Sequence, residues 1–524
     1  MPPTIDARTD AIVERLSSFR AVALFWIGFS LVFAAIQLLS SSTLTLDSAV
    51  TVENVQRHLA GGYQLRNPPL YDWLYYLASR VFGEGILAHT VLRYAFFSAI
   101  GILHYVAFRQ IGQSRRLAAA FSYSLIFFVW MASDFHYHFT HSLPLLAIGL
   151  AAWVTLIAYI DRPTAAPAAA LGLLIGLATI AKWSFLLPVI ASIVAIAFDR
   201  RARAAFMDRR ALLIPLVAVL PLVPVAVWML GIDGNVVSVV HDRLVGEPAP
   251  YVERILPAAK SYLVSVLLYI VPWPIFVGLI AFAARRPEAP APLHPNGRLA
   301  IAATLWTVGL GLAGVMAVGV GNMGTRYMFP VLLTAPVAMA AWFAARVEET
   351  KFADGTLRVA TVVVVVVTIV RFWSFQIIDG VVPENPTQRT PYDRLAAELT
   401  ARGLGAAQFV TTDVRDAGNL LAQLPEARAM ALVTQRVEPP PPDGLADRPC
   451  VALWGGNRAK VPASPREPRM PAFVRPYVEA GAGPAEDLLI PWHKPLYGFD
   501  SVSLWRILQL PADAPVCLAA RSLS

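Results

Sequence analysis

Residues 166–198 read APAAALGLLIGLATIAKWSFLLPVIASIVAIAF. Within these 33 residues the one charge is Lys182. An amphipathic soluble helix keeps a charged or polar face, and this stretch has none. About 20 apolar residues cross a bilayer as helix, so the run is too long for a single span. It reads as two short spans, Ala166–Ala181 and Trp183–Phe198, meeting at a turn at Lys182. Nine more apolar runs lie outward from it: Ala21–Ser40, Ile86–Phe108, Leu117–Met131, Ser142–Ile160, Ala211–Gly231, Tyr262–Ala284, Leu299–Val320, Tyr327–Ala345 and Val359–Ile378. The sequence therefore predicts eleven membrane-spanning helices.

Composition agrees. Of 524 residues, 56% are hydrophobic and 15% charged, against about 25% charged in soluble domains. Mean hydropathy is +0.56. This excludes a soluble enzyme, a disordered chain and a nucleic-acid binder. The 43 basic and 35 acidic residues leave a net +8, an excess that membrane proteins place in cytoplasmic loops. Two cysteines exclude a disulfide scaffold and a four-thiolate zinc site. The first apolar run has a long charged leader and full span length, so it reads as an uncleaved anchor. With the N-terminus cytoplasmic, the inner loops carry 18 Arg and Lys residues and the outer loops 8, which favours that orientation. An odd number of spans then puts the C-terminus outside.

Residues 1–380 read as the transmembrane domain and residues 381–524 as a small extracytoplasmic α/β domain. In the latter, strand-like runs recur at Gln408–Thr412, Ala429–Val433, Cys450–Trp454 and Ser503–Leu508, with a helix at Ala417–Leu424. Pro439–Pro442 and Val461–Pro471 read as loops. Cys450 and Cys517 both fall in this tail; the expectation is free thiols, with a bridge left open.

The first outer loop, residues 41–85, contains SSTLTLDSAVTVENVQRHLAGGYQLRNPPLYDWLYYL at 41–77. Asp47 follows the first span. Ala49, Val52, Val55 and Leu59 mark an amphipathic helix expected to lie on the membrane surface and to end at Gly61–Gly62. Asn67–Pro68–Pro69 forms a rigid extended turn, because proline fixes φ and restricts its predecessor. Leu70–Ala78 resumes as a second interfacial helix with Trp73, Tyr75 and Tyr76 at headgroup level.

A span, an acid, an interfacial helix and a Pro-Pro before an aromatic helix resemble the GT-C glycosyltransferases, in particular the protein O-mannosyltransferase and aminoarabinose transferase branches. Their loop pattern D-E-a-x-Y-x-x-x-A-x-x-x-L…G…PPL is met by Asp47, Glu53, Leu59, Gly62 and Pro68–Pro69–Leu70. LRYAFFSAIGILHYVAFRQIG resembles the second span, with Arg93 in place. SDFHYHFTHSLPL resembles the second acidic loop, with Asp134 as its acid. LGLLIGLATIAKWSFLLPVI brings Lys182 into register, and TRYMFPVLL supplies Arg326 and Tyr327 of a late R-Y-x-x-P motif. These weak motifs run in order across roughly residues 20–345.

The resemblance implies a GT-C-like bundle that takes a sugar from a polyprenyl-phosphate donor to an extracytoplasmic lipid, glycan or protein acceptor. It implies a multi-pass protein of a bacterial inner membrane, with its site facing the periplasm. A lipid phosphate leaves as a stable anion, so the reaction needs cations where negative charge develops. Arg93, Lys182 and Arg326 are the candidates, with Tyr327, Asp134, Glu53 and Asn67 as further substrate-binding residues. A carboxylate must take the acceptor proton, and Asp47 is that candidate. One base without a carboxylate nucleophile implies inversion. The family's D-E becomes Asp47–Ser48 here, so a metal-independent reaction without cofactor is expected, although Glu53 and Asp134 could supply ligands to a divalent ion. Asn67 stands where some relatives carry Lys, which leaves the sugar open.

Plainer readings compete. Asp47 could cap its helix. Asp134 could be a polar loop residue, and Lys182 and Arg326 could be snorkelling span ends. His136, His138 and His141 read as interfacial histidines rather than metal ligands. Gly172 and Gly176, and Gly309, Gly311, Gly314, Gly319 and Gly321, read as helix-packing positions. Val362–Val367 reads as lipid-facing helix. His241, Asp242, Arg243, Glu247 and Glu253 fall in the outer loop Ile232–Ser261, where a solvated loop is the simpler reading. Two other functions remain: a lipid-linked sugar flippase, which predicts internal repeats and charges along the bundle, and a non-catalytic glycan-assembly scaffold, which predicts that Asp47 can be replaced.

Overall fold

The computed structural model describes residues 5–232, 250–286, 288–320, 323–374, 389–432, 448–460, 467–481, 484–493, 500–511 and 513–517. Six helices are long and apolar enough to cross a membrane: Phe19–Ser40, Ile86–Gln110, Ser142–Asp161, Arg209–Leu230, Pro295–Val318 and Glu349–Trp373. Four bent pairs meet the same test, namely Arg115–Phe127 with Val129–His136, Trp183–Phe198 with Arg200–Phe206, Tyr251–Ile270 with Trp273–Ala283, and Thr325–Val331 with Ala335–Ala344. With the shorter Ala165–Ala181 there are eleven apolar segments among the described residues, one for each predicted span. The long apolar stretch breaks where expected, because Lys182 is extended at φ −164° and ψ 126°. The bent pairs are features that hydropathy alone does not reveal.

The chain divides into two compact units: Met1–Leu31, Arg66–Leu70 and Arg93–Val367 form one; Val32–Leu65, Tyr71–Leu92 and Thr368–Ser524 form the other. In the first, large apolar side chains such as Leu230, Leu279 and Val362 are exposed, as in helices solvated by lipid. Gly172 and Gly176 have no room for a β-carbon against the backbone of Ile214 and Ala218, so this pair packs two helices tightly. The later glycines meet the expectation of helix packing only in part. Gly311 packs on Tyr262, Gly309 and Gly314 face open space, and Gly319 closes its helix at φ +69°. Gly321 lies outside the described residues.

In the second unit, α1 (Leu46–Val55) and α2 (Leu70–Phe82) of the first loop join α3 (Tyr392–Ala401) and α4 (Val414–Gln423) of the tail. The sheet contains β1 (Gln408–Thr411), β2 (Arg428–Ala431), β3 (Cys450–Lys460), β4 (Glu486–Pro491) and β5 (Ser501–Leu510), in the order β2-β1-β3-β5-β4. β1 pairs in parallel with β2 and β3, and β5 pairs antiparallel with β3 and β4. The tail's predicted strands and helix are present; β4 and α3 carry no alternation strong enough to have announced them. Val433, Pro439–Pro442 and residues 461–466 lie outside the described residues.

Side chains on the two sheet faces alternate, as the strand period of two requires. Phe409, Val451, Leu453, Trp505 and Ile507 share one core with Ala49, Val52, Val55, Tyr63 and Tyr75 of the first loop. Val410, Ala452, Trp454 and Leu508 share the other with Val474 and both cysteines. Cys450 and Cys517 form a disulfide, with Cα atoms 6.2 Å apart. This corrects the expectation of free thiols. The two residues lie 67 positions apart in sequence, and only the fold brings them together.

α1 has the expected apolar stripe, but the expected membrane-surface setting is corrected. Seven of its residues, Ser48–Ala49 and Thr51–Val55, are buried, because the tail's core covers the stripe. α1 ends at Gln56, which adopts a left-handed conformation, before Gly61–Gly62 is reached. α2 keeps an exposed apolar face at Leu77, Val81 and Phe82 and buries Tyr71 and Tyr75.

Candidate functional site

Asp47 stands in the first turn of α1 and is half-buried. The N-cap position of this helix is held by Thr45, whose side chain makes no capping hydrogen bond, and Asp47 is a first-turn acid of the kind the helix dipole favours rather than the cap itself. Its position follows from the segment before it. Asn419, fully buried on α4, accepts the Leu44 N–H at 2.7 Å and donates to the Leu44 carbonyl at 3.3 Å. Gly418 leaves no space for a β-carbon against the Ala49 backbone, so α4 and α1 lie in direct main-chain contact. Arg57 donates to the Leu421, Leu424 and Ala427 carbonyls and pairs with Glu84 at 2.7 Å. The tail therefore grips both ends of the segment that carries Asp47. Removing a buried hydrogen-bonding partner costs about 1–3 kcal/mol. Asn419→Ala should lower stability by about that amount and slow turnover, with thermal unfolding and rate measured in the same detergent. An unchanged unfolding midpoint would contradict the grip.

Glu53, on the same helix, is fully buried. Asn67 is half-buried in the turn before α2. Asp72, one of the residues that motif reading passed over, is fully buried, and neither carboxyl oxygen has a hydrogen-bond partner. Burial pushes its pKa up to about 8, opposed by the nearby Thr51 hydroxyl of α1. Its sequence signal is an acid at the spacing Asp72, Tyr75, Ala78, the buried stripe of α2. A carboxyl whose pKa is raised on folding stabilises the fold fully below about pH 4, and this is lost as pH rises through about 8. Asp72→Asn should thus raise the unfolding midpoint by a margin that grows between those limits. Parallel pH profiles for the two proteins would contradict this.

The other candidates lie in the first unit. Lys182 donates to the Ser142 hydroxyl at 3.2 Å, and its Nζ stands 5.9 Å from the centre of the Tyr327 ring. Arg326 lies 5.1 Å from the same ring centre and donates to the Tyr327 hydroxyl at 3.3 Å. Arg326 is exposed and Lys182 half-buried. Two cations thus flank one aromatic ring, an arrangement suited to an anion that needs both a point charge and a planar fork.

Arg93 has a different environment. It is buried and donates to the His136 carbonyl at 2.6 Å and the Tyr137 carbonyl at 3.5 Å. It therefore props the loop that carries Asp134, which is itself half-buried. Phe135 and Phe139 of that loop each lie 5.1 Å from Phe329, two residues after Tyr327. Arg93, the Asp134 loop and the Lys182–Tyr327–Arg326 group are consequently linked by direct packing within one unit. His136 is fully buried and meets the Tyr94 hydroxyl at 3.1 Å, which corrects its reading as an interfacial group. Among the described residues no three His, Cys, Asp or Glu side chains gather as a metal-binding group. His241, Asp242, Arg243 and Glu247 lie outside the described residues, and Glu253 sits in the helix Tyr251–Ile270.

No protein-family profile matches the chain. Curated relatives exist at lower identity. Lipopolysaccharide core galacturonosyltransferase RgtA of Rhizobium johnstonii is 25% identical over 429 residues, covering 78% of this chain and 81% of its own. RgtB of the same organism is 22% identical over 433 residues, covering 82% and 86%. Among solved structures, ArnT from Cupriavidus metallidurans bound to undecaprenyl phosphate superposes with a TM-score of 0.57 at 12% identity, over 92% of this chain and 97% of that one. Its apo state gives 0.54 over the same shares. The chain therefore has an ArnT-like fold, a polytopic helical bundle with a small C-terminal sheet domain, as its resemblance to the GT-C glycosyltransferases implied.

Proposed function

We propose that the chain is a bacterial membrane glycosyltransferase that moves a sugar from a polyprenyl-phosphate donor to a lipopolysaccharide-type acceptor on the periplasmic side of the inner membrane. The observation that carries this reading is the Lys182–Tyr327–Arg326 group, two cations about one phenol ring at the ends of apolar segments. The relatives act on the lipopolysaccharide core and transfer galacturonic acid by name, so a uronic acid is the first sugar to test. The undecaprenyl phosphate held by ArnT supports the donor class. A disulfide in the tail fits an oxidising compartment.

In the proposed reaction the acceptor hydroxyl oxygen attacks the anomeric carbon, and the Asp47 carboxylate takes its proton. The bond from the anomeric carbon to the phosphate oxygen breaks. The polyprenyl phosphate departs with the electron pair, and Lys182 and Arg326 stabilise its charge. Arg93 acts by holding the Asp134 loop. Attack from the face opposite the leaving group inverts the anomeric centre.

The test is reconstitution of the purified chain with polyprenyl-phosphate galacturonate and lipopolysaccharide core, read by mass spectrometry. A gain of one hexuronate per acceptor is expected. Movement of the donor between leaflets without any transfer would replace this reading with the flippase.

A further inference from the structure

The tail contains a cleft that the proposed reaction does not use. Its volume is about 410 Å³, within the range of small-molecule sites. Thr412, Trp454, Gly455, Pro468, Arg469 and Arg475 are among the residues that line it. Topology places it well. β1 lies between β2 and β3 and runs parallel to both, while the chain visits β2 on one side before β3 on the other. Winding thus reverses at β1. In open α/β sheets the crevice beyond the carboxyl ends of strands at such a reversal is where ligands bind. Thr412 directly follows β1, and Trp454–Gly455 directly follow the last parallel pair, Thr411 with Leu453.

The local backbone is shaped to leave this crevice open. The pairing of β3 with β5 shifts register between Gly455 and Asn457, and Gly455 has φ +124°, a conformation closed to other residues at reasonable cost. A β-carbon there would press on the Leu504 carbonyl and on Pro468. Bulges of this kind bend a strand and re-aim its side chains, and the pairing resumes beyond it at Asn457 with Leu504.

The charge is positive and available. Arg469 and Arg475 are exposed, and among the described residues no carboxylate pairs with either. Of the nearby acids, Glu467 pairs with Arg506 at 2.6 Å and Asp413 with Arg415 at 2.9 Å, while Glu479, at the far end of the short helix that Arg475 opens, is exposed and forms no ion pair with it. The indole N–H of Trp454 is buried without an acceptor. Guanidinium forks match carboxylate and phosphate oxygens in pairs, and the Thr412 hydroxyl supplies a neutral donor and acceptor of the sort sugars use.

We propose that this cleft binds an anionic monosaccharide unit of the acceptor, with Arg469 and Arg475 holding its carboxylate or phosphate. Its role toward an acceptor rests on the transferase reading; the binding itself does not. The experiment is saturation-transfer NMR and calorimetry on the full chain in detergent, with galacturonate, galactose 1-phosphate and galactose as probes. Binding of galacturonate, weakened at least tenfold in R469A/R475A and partly kept in R469K/R475K, supports the proposal with a carboxylate as the recognised group. Binding of galactose 1-phosphate alone with the same variant response supports it with phosphate. Equal binding of galactose, failure of both anions to bind, or unchanged affinity in R469A/R475A overturns it. Asp47→Asn should bind the probes as wild type does. Loss of transfer with intact probe binding, or the converse, tells a failed reaction from a failed cleft.

Discussion

Asp47→Asn should lower the rate of sugar transfer by about 10²–10⁴-fold, the usual contribution of a general base, while donor binding stays within about twofold. Asparagine keeps the shape of the side chain and loses its ability to take a proton. The fold should tolerate the change. Asp47 lies inside α1 rather than at its N-cap position, which Thr45 occupies, and the hydrogen bonds of Asn419 to Leu44 that fix the approach do not involve Asp47. What the helix loses is a first-turn charge, worth about 0.3–1 kcal/mol. The measurement is transfer of radiolabelled sugar from the lipid donor under saturating acceptor, with the unfolding midpoint as a control. Full activity in the variant would reduce Asp47 to an ordinary first-turn acid and would favour the scaffold reading.

Lys182→Ala and Arg326→Ala should each reduce turnover by about 10²–10³-fold, as expected when one group that stabilises developing charge is removed. Both should also weaken binding of polyprenyl phosphate. Arg326→Lys should recover only part of the loss, because an ammonium restores the charge without the planar fork. The double variant should fall short of the product of the two, since both cations flank the same Tyr327 ring and would share one anion. Arg326 is exposed, so its removal should leave the unfolding midpoint unchanged. If both variants turn over at the wild-type rate, the two residues are snorkelling cations and the phosphate is held elsewhere.

The bundle was legible because apolar length is a direct physical requirement of a bilayer, and every predicted run meets a helical segment. The bends were not, since a span broken by 50° or 109° has the same composition as a straight one. Co-linear motifs led to Lys182, Arg326 and Tyr327, which the fold brings around one ring. Arg93 shows what residue type alone leaves open. It lies in the right motif, yet its guanidinium is engaged by the His136 and Tyr137 carbonyls. The setting of α1 escaped for a related reason. An apolar stripe states that it must be covered and says nothing of whether lipid or protein covers it, and here the tail's core does so. The disulfide, the fourth strand and the buried Asp72 all depend on contacts between distant segments, and no local pattern encodes those.

The proposed reaction is a single displacement assisted by one carboxylate and two cations. The most direct test is the anomeric configuration of the first product, read by proton NMR after one turnover with a donor of defined anomer. Inversion is the predicted result. Retention would demand a second nucleophile and a covalent sugar intermediate, and would contradict the role assigned to Asp47.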